Sequence, residues 1–182
     1  MTLREETLLF FDDFLKSIDL EYMIFASSLL GIVRDKKLMD HDAEIDICVL
    51  GKDLTDDMLS KIESSGFHTG VYECKEKVGE TYLSKQVRHE GKHGWVAISP
   101  MWVNNKVAYI NMLKSECITM NKKWHDKKNW GKLKYLGREF NCPKNPEEWL
   151  KDWYGDDWET PKEGHWKHNA NLTTWEKITN NK

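Results

Sequence analysis

Apolar residues near the start of the chain, Leu8, Phe11, Leu15 and Ile18, recur at three- and four-residue spacings and predict an amphipathic helix over Leu3 to Ile18. Thr2, with Glu5 three residues later, marks its start as a capping box. Tyr22 to Ala26 is a short apolar run without polar alternation, the pattern of a buried strand. Ser27-Ser28 follows and is predicted to cap a helix through Leu29, Leu30 and Val33. The segment Glu44-Ile45-Asp46-Ile47-Cys48-Val49-Leu50 then alternates carboxylates with branched apolar residues and ends at Gly51. Side chains of a strand alternate in direction, so Glu44 and Asp46 are expected on one face and Ile45 and Ile47 in the core. Asp53 to Ser65 has the pattern of a helix, with Leu54, Met58, Leu59 and Ile62 on one side and a stop at Gly66.

From Phe67 to Met112 the pattern turns β-like, with candidate strands at Thr81-Tyr82-Leu83, Gly94 to Ile98 and Lys106 to Leu113. Gly131 to Phe140 predicts a hairpin that turns near Gly137. A helix start follows: Asn145 as cap, Pro146 at the first helical position and Glu148 three residues past the cap. Trp149 and Trp153 fall one turn apart on it, and Gly155 is placed to end it. Seven of the nine tryptophans lie in this C-terminal third. Alternating helices and strands predict a mixed α/β fold in one domain over residues 1–182, with a core at 1–115 and a C-terminal hairpin and helix at 130–161. Thr179 to Lys182 is expected to fray.

Composition narrows the function classes. With 40% hydrophobic and 31% charged residues the chain has the makeup of a globular protein. Its 27 basic against 30 acidic residues give a formal charge of −3, which offers a polyanion no general attraction, so no nucleic-acid partner is expected. The longest apolar runs fall far short of the roughly 20 residues of a membrane span. The acidic N-terminus lacks the basic-then-apolar layout of a secretory signal, which predicts a cytoplasmic protein. Cys48, Cys74, Cys117 and Cys142 form no Cys-x-x-Cys pair and are expected as packed, reduced thiols. His165-x-x-His168 lacks a third ligand at a zinc-site spacing, and the Lys122-Lys123 and Lys127-Lys128 clusters fit a solvated surface.

Chemistry concentrates in one place. Glu44 and Asp46, with Asp42 two residues before, form an acidic group whose mutual repulsion a divalent cation relieves; hard oxygen ligands suit Mg²⁺. The backbone N–H groups after Ser27-Ser28 point toward incoming negative charge, an arrangement suited to phosphate. Arg34, on the same short helix, has a guanidinium fork suited to clamping a phosphate.

The run Tyr22-Met23-Ile24-Phe25-Ala26-Ser27-Ser28-Leu29-Leu30-Gly31-Ile32-Val33-Arg34, followed by Asp42-Ala43-Glu44-Ile45-Asp46-Ile47, resembles the signature of the LicD/fukutin-related phosphotransferases of the DNA-polymerase-β-like nucleotidyltransferase superfamily. The stretch from Gly137-Arg138-Glu139-Phe140 through Trp153-Tyr154-Gly155-Asp156-Asp157-Trp158-Glu159-Thr160-Pro161 is similar to that family's closing motif. The resemblance implies a nucleotidyltransferase-like central mixed sheet flanked by helices, with a Trp-rich C-terminal helical segment. It implies transfer of a substituted phosphate, phosphocholine or a polyol phosphate, from a CDP-linked donor to a hydroxyl of a sugar or glycan. Carried over, Glu44 and Asp46 would hold Mg²⁺, or Mn²⁺ in its place, and Asp42, Glu44 and Asp46 would be the catalytic acids. Ser27, Ser28, Gly31 and Arg34 would bind the donor phosphate. Two positions depart from the pattern: Ser27 stands at the turn's usual glycine, and Ala97 stands where a third carboxylate is often found on a central strand. The alternatives are a nucleotidyltransferase acting on a small molecule and a catalytically silent nucleotide-binding module of the same fold.

Overall fold

A computed structural model describes residues 1–42, 44–64, 68–78, 80–88, 95–111, 116–162 and 172–174. The opening helix α1 (Leu3–Ser17) starts with the capping box at Thr2 and Glu5 and buries Leu8, Phe11 and Leu15, as its spacing predicts. It ends in a left-handed Asp19, with the Asp19 N–H on the Lys16 carbonyl and the Leu20 N–H on the Leu15 carbonyl, the two bonds of a Schellman cap. Strand β1 (Met23–Ile24) is shorter than the apolar run around it and leads directly into α2 (Ala26–Leu30). That helix loosens into a π-helical turn over Gly31–Asp35, closed by left-handed Lys36. Strand β2 (Glu44–Leu50) has the expected bounds, with Ile45 and Ile47 each 1% exposed and Glu44 and Asp46 on the half-buried face.

After a 3-10 turn at Gly51–Asp53, α3 (Asp56–Ser64) begins later than the sequence suggests, because Thr55 accepts the Met58 N–H and fixes the start there. The stop predicted at Gly66 lies outside the described residues. Five strands follow: β3 (His68–Val78), β4 (Glu80–Arg88), β5 (Trp95–Val103), β6 (Val107–Asn111) and β7 (Glu116–Asn121). The hairpin of β8 (Trp130–Tyr135) and β9 (Arg138–Pro143) turns through Leu136 and Gly137, both at positive φ, the combination a two-residue I′ turn requires. Helix α4 (Pro146–Tyr154) has its proline in the first turn and ends at Gly155, φ 94°. Asn145 is its N-cap residue without a side-chain capping bond; its amide instead donates to Glu148. A short β10 (Leu172–Thr174) closes the described chain.

The result is a mixed α/β architecture. One eight-stranded sheet runs β1-β2-β5-β6-β7-β10, with β4 on the first half of β5 and β3 beyond it. The pairing of β2 with β5 is parallel and all others are antiparallel. That parallel register places Asp46 opposite Ala97 and sends Ile45 and Ile47 to the same side as Val96 and Ile98, which are fully buried. Phe25, Trp149 and Trp153 form an aromatic group where α4 meets the end of β1, with the two indoles stacked 4.8 Å apart. These tryptophans are core. Cys48, Cys117 and Cys142 are buried free thiols, as expected. Lys123 pairs with Glu148, and Lys127 with Glu21 and Asp53, so half of the basic patch is neutralised. His165, His168 and Thr179 to Lys182 lie outside the described residues. Among the described residues no helix is long and apolar enough to cross a membrane.

A polar clip fastens the β8–β9 hairpin to α1. Asp12, 1% exposed, accepts from Tyr22 Oη at 2.9 Å, Lys16 Nζ at 2.8 Å and Arg138 Nη1 at 2.9 Å. Burial and the Asp12 charge push the Tyr22 phenol well above its usual range, so it stays a donor. Replacing one member of such a group strands the others. Asp12→Ala is expected to lower unfolding free energy by about 2–4 kcal/mol, read from urea denaturation.

Candidate functional site

The site is built where β1, α2 and β2 meet. The Phe25 N–H donates to the Asp46 carbonyl at 3.3 Å, which closes β1 onto β2 and brings the start of α2 beside the acidic strand. Ala26 then takes φ 47°, a left-handed conformation that costs a non-glycine residue and is concentrated at functional sites. Ser27 and Ser28 therefore lie inside the helix, and Phe25 is the N-cap residue without a side-chain cap. The predicted serine cap is corrected: both hydroxyls reach across to the acidic segment. Ser28 Oγ, buried, accepts the Asp46 N–H at 2.9 Å. The Ser27 N–H donates to Asp46 Oδ2 at 3.1 Å, and Ser27 Oγ contacts both Asp46 Oδ2 and Asp42 Oδ2. An amide that the sequence assigns to phosphate is thus answered by a carboxylate of the chain itself.

Asp42 is held from two sides. Its Oδ1 accepts the Glu44 N–H at 3.1 Å, and its Oδ2 lies 3.8 Å from Arg4 Nη2. Arg4 reaches in from α1 and also donates to the carbonyls of Glu44, at 2.6 Å, and Met39. Asp42 thereby shares Ser27 with Asp46, while Glu44 lies two residues along the same strand face. Ala43 lies outside the described residues.

Proton counting defines the electrostatics. A serine hydroxyl carries one proton, so it satisfies one of the two carboxylates it touches; the other oxygen contact needs a carboxyl proton or a cation. Burial, reinforced by the nearby charges of Asp42 and Glu44, pushes Asp46 up to about 7, against the lowering effect of Ser27. The carboxylates of Asp42 and Asp46 and the Ser27 hydroxyl are all hard oxygen donors, a set that fits Mg²⁺. Among the described residues no cluster of three or more His, Cys, Asp or Glu side chains is arranged to hold a metal, so the convergence is a pair. Ala97, 7% exposed and in register with Asp46, adds no ligand.

Arg34 sits on the π-helical turn with Nε and Nη2 on Asp35 at 2.9 and 2.8 Å, so part of its fork is already engaged. Asp35 raises its pKa further. Gly31 is buried under the loop that leads to Asp42: a Cβ there would lie 2.7 Å from the Lys37 carbonyl oxygen, so the loop's approach requires glycine. Two residues outside the predicted set join the site. Arg4 gave no local signal, being one charge on an amphipathic helix. Tyr154, at the end of α4, lies in the closing motif; burial first, then the charges of Asp46 and Asp42, push its phenol above the usual range, while Arg34 pulls it down.

A family model described as LicD/FKTN/FKRP, nucleotidyltransferase domain, matches residues 19–145, and the chain belongs to this family. No curated protein matches it closely enough to count.

Because Asp46 ionises at higher pH in the fold than in the unfolded chain, its stabilising protonated state is complete below about pH 4 and is lost as pH rises through about 7. Asp46→Asn, which cannot ionise, is expected to match the parent protein near pH 4 and to exceed it by about 2–4 kcal/mol at pH 8. Thermal or urea unfolding in chelator-containing buffer checks this; equal stabilities at pH 8 would remove the buried-carboxylate account.

Proposed function

We propose that this LicD-family chain is a Mg²⁺-dependent phosphotransferase that moves a substituted phosphate, phosphocholine or a polyol phosphate, from a CDP-linked donor to a hydroxyl of a sugar or glycan. The observation that carries the reading is the convergence of Asp42 and Asp46 on Ser27 at the start of α2. Family membership supports a transferase of phosphorus-containing groups; donor, acceptor and metal are the additional steps of the proposal.

Asp46 would hold Mg²⁺ together with Asp42, in place of the Glu44 that the resemblance implies, because Asp42 and Asp46 are the pair that meets at Ser27; when bound the ion supplies charge neutralisation for the transferring phosphate. Glu44, on the same strand face, takes the proton of the acceptor hydroxyl as its oxygen attacks the distal phosphorus of the donor. The bond from that phosphorus to the bridging oxygen breaks and CMP leaves. Arg34, whose Nε and Nη2 are turned to Asp35, offers Nη1 to a phosphate oxygen and offsets the growing charge on the leaving group. Tyr154, held protonated by its surroundings, is a hydroxyl donor at the edge of the same acidic group.

A second reading, a silent nucleotide-binding module, is favoured by Ala97, which leaves two carboxylates rather than three where the strands meet. Incubation with CDP-choline, CDP-ribitol or CDP-glycerol, Mg²⁺ and candidate glycans separates the readings. The proposal expects CMP release that needs metal and falls at least ~100-fold in Asp46→Asn, the order of loss when one preorganised charged group is removed. Metal-dependent donor binding without CMP release would establish the silent module, and pyrophosphate release from a nucleoside triphosphate would establish a nucleotidyltransferase.

A further inference from the structure

Ser27 stands between Asp42 and Asp46, and the attachment of α2 to β2 at Asp46 does not depend on its hydroxyl. Its backbone N–H already bonds Asp46 Oδ2 at 3.1 Å, and Ser28 independently anchors β2 through the Asp46 N–H at 2.9 Å. The Phe25 N–H on the Asp46 carbonyl adds a third tie between the same two elements. An alanine would keep all of these bonds. What the hydroxyl adds is a third hard oxygen at the point where two carboxylate oxygens meet, with one proton for two acceptors.

We infer that Ser27 Oγ is a ligand in the site's cation shell, making Asp42, Asp46 and Ser27 a two-carboxylate, one-hydroxyl set that determines which metal the protein takes. The inference rests on the metal-dependent reading above. A neutral hydroxyl completes the set without the further like-charge repulsion that a third carboxylate would bring beside Asp46. Position 97 shows where that alternative would go, because the parallel register places Ala97 directly opposite Asp46 on the neighbouring strand. Hydroxyl, carboxylate and carboxylate are all hard donors, so the set favours Mg²⁺ and Mn²⁺ over thiophilic metals.

The test uses the full chain and the metals alone, with Mn²⁺ binding followed by electron paramagnetic resonance and titration calorimetry, and fold integrity followed by circular dichroism. The parent protein is expected to bind one Mn²⁺ at this site, with binding lost in Asp46→Asn. Ser27→Ala is expected to weaken Mn²⁺ by ~10-fold or more while leaving the fold intact, a loss in the range seen when groups around a metal are removed. Ser27→Cys is expected to shift preference toward Cd²⁺ by ~10-fold or more relative to the parent, because a thiolate is a soft ligand. Ala97→Asp added to Ser27→Ala is expected to restore Mn²⁺ binding. If the parent protein binds no Mn²⁺, the metal-dependent reading fails and this inference with it. If the parent binds Mn²⁺ but Ser27→Ala binds it equally or more tightly, and Ser27→Cys gains no Cd²⁺ preference, the reading stands and the ligand role of Ser27 is overturned.

Discussion

A single hydroxyl proton facing two carboxylates is the constraint around which this structure is arranged. Ser27 Oγ contacts Asp42 Oδ2 and Asp46 Oδ2 together, and one proton cannot serve both. Left to themselves, two half-buried carboxylates would swing apart toward water, since repulsion and desolvation both favour separation. They are kept together by backbone. The amide of Ser27 takes Asp46, the amide of Glu44 takes Asp42, and the Ser28 hydroxyl receives the amide of Asp46. Each of these bonds is set by main-chain geometry that the parallel β2–β5 pairing and the left-handed Ala26 impose. Burial of Asp46 at this point, with the neighbouring charges of Asp42 and Glu44 added, is what holds its pKa above the usual carboxylate range.

Support for that arrangement extends well beyond the strand. Arg4 crosses from α1 to grip the carbonyls of Met39 and Glu44 and to face Asp42, so the position of α1 sets the position of the acidic loop. The hairpin in turn sets α1. Tyr135 donates to Glu5 at 2.8 Å and accepts the Leu38 N–H at 3.3 Å, touching both the helix and the loop, while Arg138 holds Asp12 and Asp13. Gly31 contributes by absence, since any side chain would strike the Lys37 carbonyl and lift the loop. The hairpin and helix at the C-terminal end therefore stiffen chemistry placed near the N-terminal end. The hairpin that opens the closing motif is thereby tied, through α1, to the loop that carries the acidic motif.

What the sequence made legible follows the range of the forces involved. Strand β2 was readable residue by residue because its alternation reflects a local periodicity, and the Thr2–Glu5 box because capping is a three-residue interaction. The hairpin at Leu136-Gly137 and the proline-led start of α4 were readable for the same reason. Ser27-Ser28 misled: small hydroxyl residues ahead of a helix usually cap it, yet here the N-cap is Phe25, two residues before Ser27, and both side chains answer Asp46 on a neighbouring strand. Arg4 was invisible because its partners lie 35 and 40 residues away and are carbonyls, which leave no mark in the sequence. Tyr154 lies in the closing motif, but the influence of the Asp46 and Asp42 charges on it emerges only once α4 packs beside α2. Strand β7 and the short β10 were likewise missed, since their pairing is decided by sheet neighbours rather than by pattern.

Carboxylate number at the point of convergence is less of a departure than the family pattern suggests. Mg²⁺ dehydrates reluctantly and is commonly held by one or two carboxylates, its remaining positions filled by water and substrate phosphate. A third acidic residue at position 97 would stand opposite Asp46 at a site only 7% exposed, and would add like charge where Asp46 is already hard to ionise. Alanine avoids that cost, and the hydroxyl of Ser27 puts an uncharged oxygen on the opposite side of the same aspartate. The two substitutions act on one balance: charge is removed from one side of Asp46 and a neutral donor is set on the other. Their effects on cation affinity are therefore expected to be coupled rather than additive, as holds for residues sharing one partner.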